Sequence, residues 1–258
     1  MHLKELFSLK NKVILVSGGA GNYGKCIVEG LAEADGTVII ASRNFKNAEQ
    51  TAQSFNSRGY DVRALQVDQG IHESVIELKN NIIEKFGKLD VFINNAVSRP
   101  MKSYDAVIED FAESMRVNAT GSMDILREMA DLIVNNGGGS IINIGSMMGM
   151  FGPDLSNYEG TNMGTPPPDY FFHNAGLLNL TRYMAQVLAG KNVNVNCISP
   201  GGLFNQQPEV FLNNYCKKVP LKRMANQDDI KGLIVLLSSR AGAYINGENI
   251  LMDGGLNA

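Results

Sequence analysis

The chain has 258 residues, 44% of them apolar, and a formal net charge of −3. A chain of this size can bury its own core, no basic run offers nucleic acid a phosphate-neutralising surface, and no apolar stretch reaches the length of a membrane span. Three scattered cysteines (Cys26, Cys197 and Cys216) suit neither a disulfide framework nor a zinc site, and the N-terminus lacks a signal-peptide core; the expectation is a cytoplasmic protein without metal, nucleic-acid or membrane partner.

Short runs rich in Val and Ile alternate with helix-period stretches along the chain. Strands are predicted at 13–17, 37–41, 62–67, 91–94, 140–144, 193–198 and 249–252. They are nearly continuous in apolar character, as strands covered on both faces are. Helices are predicted at 25–34, 47–57, 71–86, 110–135, 170–188 and 228–238. The alternation implies an α/β fold with a doubly wound parallel sheet of the Rossmann type. No linker-like stretch interrupts it, so residues 1–258 are read as a single domain. The segment 151–169 holds Gly152, Pro153, Gly160, Gly164 and Pro166 to Pro168; it cannot be a continuous helix and reads as a surface loop or lid.

The first strand runs into Ser17-Gly18-Gly19-Ala20-Gly21-Asn22-Tyr23-Gly24, and a helix follows at once. Gly19 to Gly24 fits G-x-G-x-x-G, whose glycines let the backbone approach a pyrophosphate at a helix N-terminus. The second strand ends in Ala41-Ser42-Arg43-Asn44. An NAD site usually places a carboxylate there for the ribose hydroxyls, whereas a guanidinium can pair with a 2′-phosphate. Ser42 and Arg43 therefore predict NADP(H) in preference to NAD(H).

Further segments resemble the short-chain dehydrogenase/reductase family in order and spacing. They are Asp68 after the third strand, Asn94-Asn95-Ala96 after the fourth, Asn118 in Val117-Asn118-Ala119-Thr120-Gly121, and Ser146 after Ile141-Ile142-Asn143-Ile144. Tyr170 with Ala175-Gly176-Leu177-Leu178, Pro200-Gly201 and Asp253-Gly254-Gly255 complete the pattern. The resemblance implies a carbonyl/alcohol oxidoreductase acting on a small molecule, assembled as a homodimer or homotetramer. It assigns catalysis to Asn118, Ser146, Tyr170 and position 174. It assigns cofactor contacts to Ser17, Gly18, Gly19, Asn22, Tyr23, Gly24, Ser42, Arg43, Asp68, Asn94, Ala96, Pro200, Gly201 and Leu203. In that family a tyrosine transfers the proton, a serine orients the substrate oxygen, and a lysine four residues after the tyrosine holds the nicotinamide ribose and favours the phenolate. Tyr158-Glu159-Gly160-Thr161 and Asn196 to Gly202 are similar to a subgroup associated with flagellin and surface-sugar modification in bacteria, implying a sugar-like polar substrate.

Four positions depart from the family pattern: Ser17 for threonine, Asn22 for a glycine, Val97 for a glycine, and Asn174 for the lysine. Asn174 can bond ribose hydroxyls through its amide but brings no charge. Two readings follow, a working oxidoreductase or a dinucleotide-binding sensor or scaffold with impaired catalysis. Tyr158 to Asn162 repeats the Y-x-x-x-N form closer to Ser146, but the helical run follows Tyr170. His173 shares the helix face of Tyr170 and is weighed as a substitute charge or a packing residue. Arg99 and Lys102 are weighed as contacts for an anionic substrate or as solvated loop charges. Phe171 and Phe172 are expected to pack helices at a subunit contact.

Overall fold

The computed structural model describes residues 2–258. Seven parallel strands form one sheet in the order β3-β2-β1-β4-β5-β6-β7. They are β1 (Val13–Ser17), β2 (Thr37–Ser42), β3 (Val62–Gln66), β4 (Val91–Asn94), β5 (Gly139–Ile144), β6 (Val193–Pro200) and β7 (Asn249–Met252). Nine α-helices accompany them among the described residues. These are α1 (Leu3–Phe7), α2 (Asn22–Glu33), α3 (Phe45–Asn56), α4 (His72–Phe86), α5 (Ile108–Met115), α6 (Ser122–Asn135), α7 (Pro168–Val187), α8 (Glu209–Lys218) and α9 (Lys231–Ser238).

The strand alternation divides the core into two layers. Val13 and Leu15 of β1 face a cluster with Val75, Leu78 and Ile82 of α4, Ile125 and Met129 of α6, and Met184 of α7. Ile14 and Val16 face the opposite cluster, with Ile27 and Leu31 of α2, Ala48 of α3 and Ile234 of α9. All five residues of β1 are buried, whereas the edge strand β7 is only half-buried throughout. Double coverage is therefore complete only at the centre of the sheet.

Strand order reverses between β1 and β4, so the connections leaving their C-terminal ends diverge and open a crevice. Helix α2 begins at Asn22, earlier than its apolar period suggests, because Gly21 in an extended conformation serves as N-cap. The stretch expected to be one helix over 110–135 is broken by a π-helical turn, Arg116–Gly121, between α5 and α6. Helix α8 has no counterpart among the expected elements. Segment 151–167 is irregular apart from a 3-10 turn, Leu155–Tyr158, and α7 starts with Pro168 in its first turn, where a missing N–H costs nothing. No helix among the described residues is long and apolar enough to cross a membrane.

Candidate active site

The crevice at the C-terminal ends of the strands is a cleft of about 1390 Å³. Its walls bring together Gly18, Asn22, Tyr23, Gly24, Ser42, Arg43, Asp68, Asn94, Ala96, Asn118, Ser146, Tyr170, Asn174, Pro200, Gly201 and Leu203. Ser17 and Gly19 do not line it. Ser17 is buried, and its hydroxyl accepts from the N–H groups of Asn95 at 3.0 Å and Ala96 at 3.1 Å, fastening β1 to the loop after β4. The serine thus supplies a loop-bracing hydroxyl from beneath the cleft floor.

The phosphate loop requires glycine at two points. Gly18 has φ +65°, and a Cβ there would lie 2.8 Å from the Ala96 Cα. A Cβ on Gly24 would fall 2.8 Å from the Gly19 Cα and collide with the Gly18 carbonyl. Asn95 braces the loop further, its amide donating to the carbonyls of Ser17 and Gly18, both at 3.0 Å. The N-cap of α2 makes no side-chain capping bond, so the first N–H groups of this 12-residue helix are available at the cleft. Free N–H groups and a positive dipole end fit a pyrophosphate.

At the adenosine end, Ser42 closes β2 and Asn44 caps α3 by accepting from Asn47 N at 3.0 Å. Arg43 is exposed between them and close enough to Glu113 to help hold that carboxyl below its ordinary value, after the larger effect of the Arg116 hydrogen bond. Asp68 accepts from Gly70 N at 2.9 Å and so shapes its own turn at the wall. Tyr23 reaches across the cleft to donate to the Gly201 carbonyl at 3.2 Å, and burial pushes its phenol far up.

The reactive end is assembled from three elements. Asn118 sits in the π-helical turn, accepting from Ser98 N at 2.8 Å and donating to Ser98 O at 2.7 Å and Ser114 Oγ at 3.0 Å. Its amide therefore fixes the loop after β4 against that turn. Ser146 follows β5 and caps the Met147–Gly149 turn by accepting from Met148 N at 3.2 Å, which leaves its own proton free to donate. Tyr170 lies in the first turn of α7, its ring edge-on to His173 at 5.4 Å and covered by the Arg99 guanidinium at 4.8 Å. Asn174 is 2% exposed, and its amide donates to the Tyr170 carbonyl at 2.7 Å. That donor is turned into the helix backbone. Burial, reinforced by Arg99, pushes the His173 imidazole down to about 4 against a weaker opposing effect from Asp169. At neutral pH His173 is uncharged.

Several wall residues carried no assignment from the sequence. Asp169 is buried beside Tyr170 with Oδ1 unpartnered among the described residues, as is the His173 Nε2. Helix α8 contributes Phe211, Tyr215 and Lys218 to the cleft. Its signals were present: Pro208 before it, Glu209 in the first turn, and Lys217 and Lys218 in the last. Tyr158, the alternative to Tyr170, sits in the 3-10 turn with its ring 5.3 Å from Phe211, and no helix follows it.

The sheet order, the glycine turn into α2 and the cleft at the switch point define a Rossmann-type dinucleotide-binding protein. Residues 19–257 match the sequence profile described as Enoyl-(Acyl carrier protein) reductase. The chain belongs to the short-chain dehydrogenase/reductase family, a family of nicotinamide-dependent oxidoreductases. It is 28% identical over 253 residues to post-translational flagellin modification protein A of Campylobacter coli, covering 96% of this chain and 98% of that protein. A short-chain dehydrogenase from Leptospira borgpetersenii, solved with bound NAD+, is 30% identical with a TM-score of 0.87, covering 100% of this chain and 98% of that one. A gluconate 5-dehydrogenase from Burkholderia cenocepacia, in complex with NADP and tartrate, is 26% identical with a TM-score of 0.86, covering 99% and 98%.

Proposed function

We propose that the protein interconverts a carbonyl and an alcohol with NADP(H), on a polar, sugar-like substrate. The observation that carries this reading is Ser146 and Tyr170 lining one cleft with the phosphate loop. The α2 N-terminus and the strand ends would hold a nicotinamide dinucleotide there, which would supply or accept the hydride. Tyr170 donates its proton to the carbonyl oxygen, and Ser146 orients that oxygen through its free hydroxyl. Ser42, Arg43 and the N-terminus of α3 suit a 2′-phosphate. Asn157, Asn205 and Gln207 line the same cleft, a polar lining that suits a polyhydroxylated molecule. The gluconate 5-dehydrogenase among the similar structures, named for a polyhydroxylated acid, supports the same reading. On the outer face, Phe172 packs on Phe111 at 5.6 Å yet stays exposed, as do Tyr183 and Val187 of the same helix. This apolar stripe suits burial in a homodimer or homotetramer.

Asn174 favours a second reading, a dinucleotide-binding sensor or scaffold, because its amide is engaged in the helix and brings no cation to Tyr170. NADPH oxidation with a panel of ketoses and keto-sugars separates the two. Turnover is expected, with Tyr170→Phe losing at least about a hundredfold of it. NADPH is expected to bind about ten- to a hundredfold more tightly than NADH, and Arg43→Ala to erase most of that difference. NADPH binding without turnover, indifferent to Tyr170→Phe, would favour the sensor; equal cofactor affinities would overturn the NADP(H) assignment.

A further inference from the structure

Position 174 cannot give Tyr170 a positive charge, yet the tyrosine is not without one. The Arg99 guanidinium carbon lies 4.8 Å from its ring centroid, within range of a cation–π contact. Arg99 comes from the loop after β4, whose course Asn118 fixes through both backbone polar groups of Ser98. The other groups near the ring do not supply the charge. His173 is neutral because burial holds it near 4, and Tyr23 is neutral because burial raises it. Asp169, adjacent in sequence and buried, brings the opposite sign. Lys102 turns its ammonium to the Arg99 carbonyl at 2.6 Å, which adds positive charge to the same loop.

We propose that Arg99 supplies to Tyr170 the positive charge that the family's lysine would bring from position 174. This rests on the oxidoreductase reading. In reduction, a hydride from the dihydronicotinamide joins the carbonyl carbon and the C=O π bond opens onto oxygen. The O–H bond of Tyr170 breaks as its proton moves to that oxygen, leaving a phenolate that water later reprotonates. The nicotinamide is oxidised and the carbonyl reduced. Arg99 lines the cleft, and its role in this step is exerted through the Tyr170 ring. It is a positioning residue that stabilises the phenolate from above the ring while Asn174 only braces the helix turn. At 4.8 Å and an effective dielectric of about 50, as for a ring at the wall of a solvated cleft, a unit charge corresponds to about tenfold in rate.

The test is a double-mutant cycle in the NADPH-loaded enzyme. Arg99→Gln is expected to lower kcat for keto-sugar reduction about tenfold with little change in the KM for NADPH. Asn174→Lys is expected to restore most of that loss, and to gain several-fold more in the Arg99→Gln background than in the wild-type chain. Equal gains in both backgrounds, or a purely KM effect of Arg99→Gln, would overturn the proposal in favour of a substrate contact. A second measurement needs no turnover and no lysine variant. The ultraviolet difference spectrum between wild type and Arg99→Gln should show a tyrosine band that vanishes when both chains also carry Tyr170→Phe. A flat difference spectrum would also overturn it. Absence of turnover in wild type with this signal intact would strike the oxidoreductase reading and leave the Arg99–Tyr170 coupling standing.

Discussion

At the end of the sheet where the strands begin, the buried carboxylate of Asp90 has both oxygens occupied; at the end where they finish, the buried carboxylate of Asp169 does not. Asp90 accepts from Val13 N at 2.9 Å, from Lys12 and Lys88 at 2.9 Å each, and from Asn136 at 3.3 Å. Burial alone would raise its carboxyl, but these donors outweigh burial and hold it below the ordinary range. At the other end, Asp169 Oδ1, His173 Nε2, Asn94 Oδ1 and Gln69 Oε1 are buried without partners among the described residues, and all four side chains line the cleft. An unsatisfied buried polar group costs folding free energy. One end of the sheet thus concentrates satisfied pairing, and the other retains unused hydrogen-bonding capacity where α/β ligands bind.

Paired substitutions put that contrast under the greatest strain. Asp90→Ala strands the buried Val13 N–H while the two partly exposed lysines return to water, and is expected to cost about 2 kcal/mol. Asp169→Asn removes a charge without removing a partner and is expected to leave stability unchanged or raise it. Denaturant unfolding of both variants reads the difference, and equal losses would break the comparison. The Asp90 contribution also has a pH sign. Its folded carboxyl lies below the unfolded one, so the stabilisation is present above the ordinary carboxylate range and disappears as pH falls through the depressed folded value.

The regular elements and the tight turn into α2 were the most legible parts of the sequence. All seven strands lie within a residue or two of where their Val- and Ile-rich runs place them, and Gly18 and Gly24 stand where a tight turn needs them. Local patterning encodes those features. The contacts that shape the reactive end join distant segments: Arg99 over Tyr170, and Asn118 to Ser98 across 20 positions. No local pattern reports such encounters. Helix α8 was hidden for another reason, since its buried face, Phe211, Leu212, Tyr215 and Cys216, spans little more than one period over only 10 residues. Asn174 was visible as a departure, but the direction of its amide toward Tyr170 O was not.

An effect of similar size, present only on acidification, distinguishes the two ends. Burial lowers the His173 imidazole to about 4, against an ordinary value of 6.5. Between those values the unfolded chain binds the proton and the folded chain resists it, so stability falls as pH drops from neutrality and the loss levels off below about pH 4. By pH 5 the expected cost is about 2 kcal/mol, and His173→Gln should remove it. His72 works in the opposite direction, because its hydrogen bond to Asp124 raises it. The informative quantity is therefore the difference between wild type and His173→Gln across pH 7 to 5, measured by denaturant midpoints. Parallel curves would mean that His173 gains a proton partner on acidification.

The smallest expected effect concerns how the open end closes. Segment 151–169 is expected to act as a lid, and its contacts fasten it to α8. The Lys218 ammonium donates to Asp154 at 2.5 Å, to the Ser156 hydroxyl and to Asn157 Oδ1 at 2.8 Å. Asn214 donates to the Glu159 carbonyl at 3.0 Å, and Tyr158 packs on Phe211. Met147, Tyr158 and Met163 join Phe211, Tyr215 and Val219 in an apolar cluster separate from the two core layers. Small clusters of this kind open at lower free energy than the main core. Amide exchange in 151–167 and in 209–218 is therefore expected to slow together, by about tenfold, when NADPH and a keto-sugar are both present. Lys218→Met should uncouple the two, with the loop exchanging faster while α8 keeps its protection. If the loop is already protected without ligand, and Lys218→Met leaves it so, then the segment is a fixed wall of the cleft and closure must be sought in α8 alone.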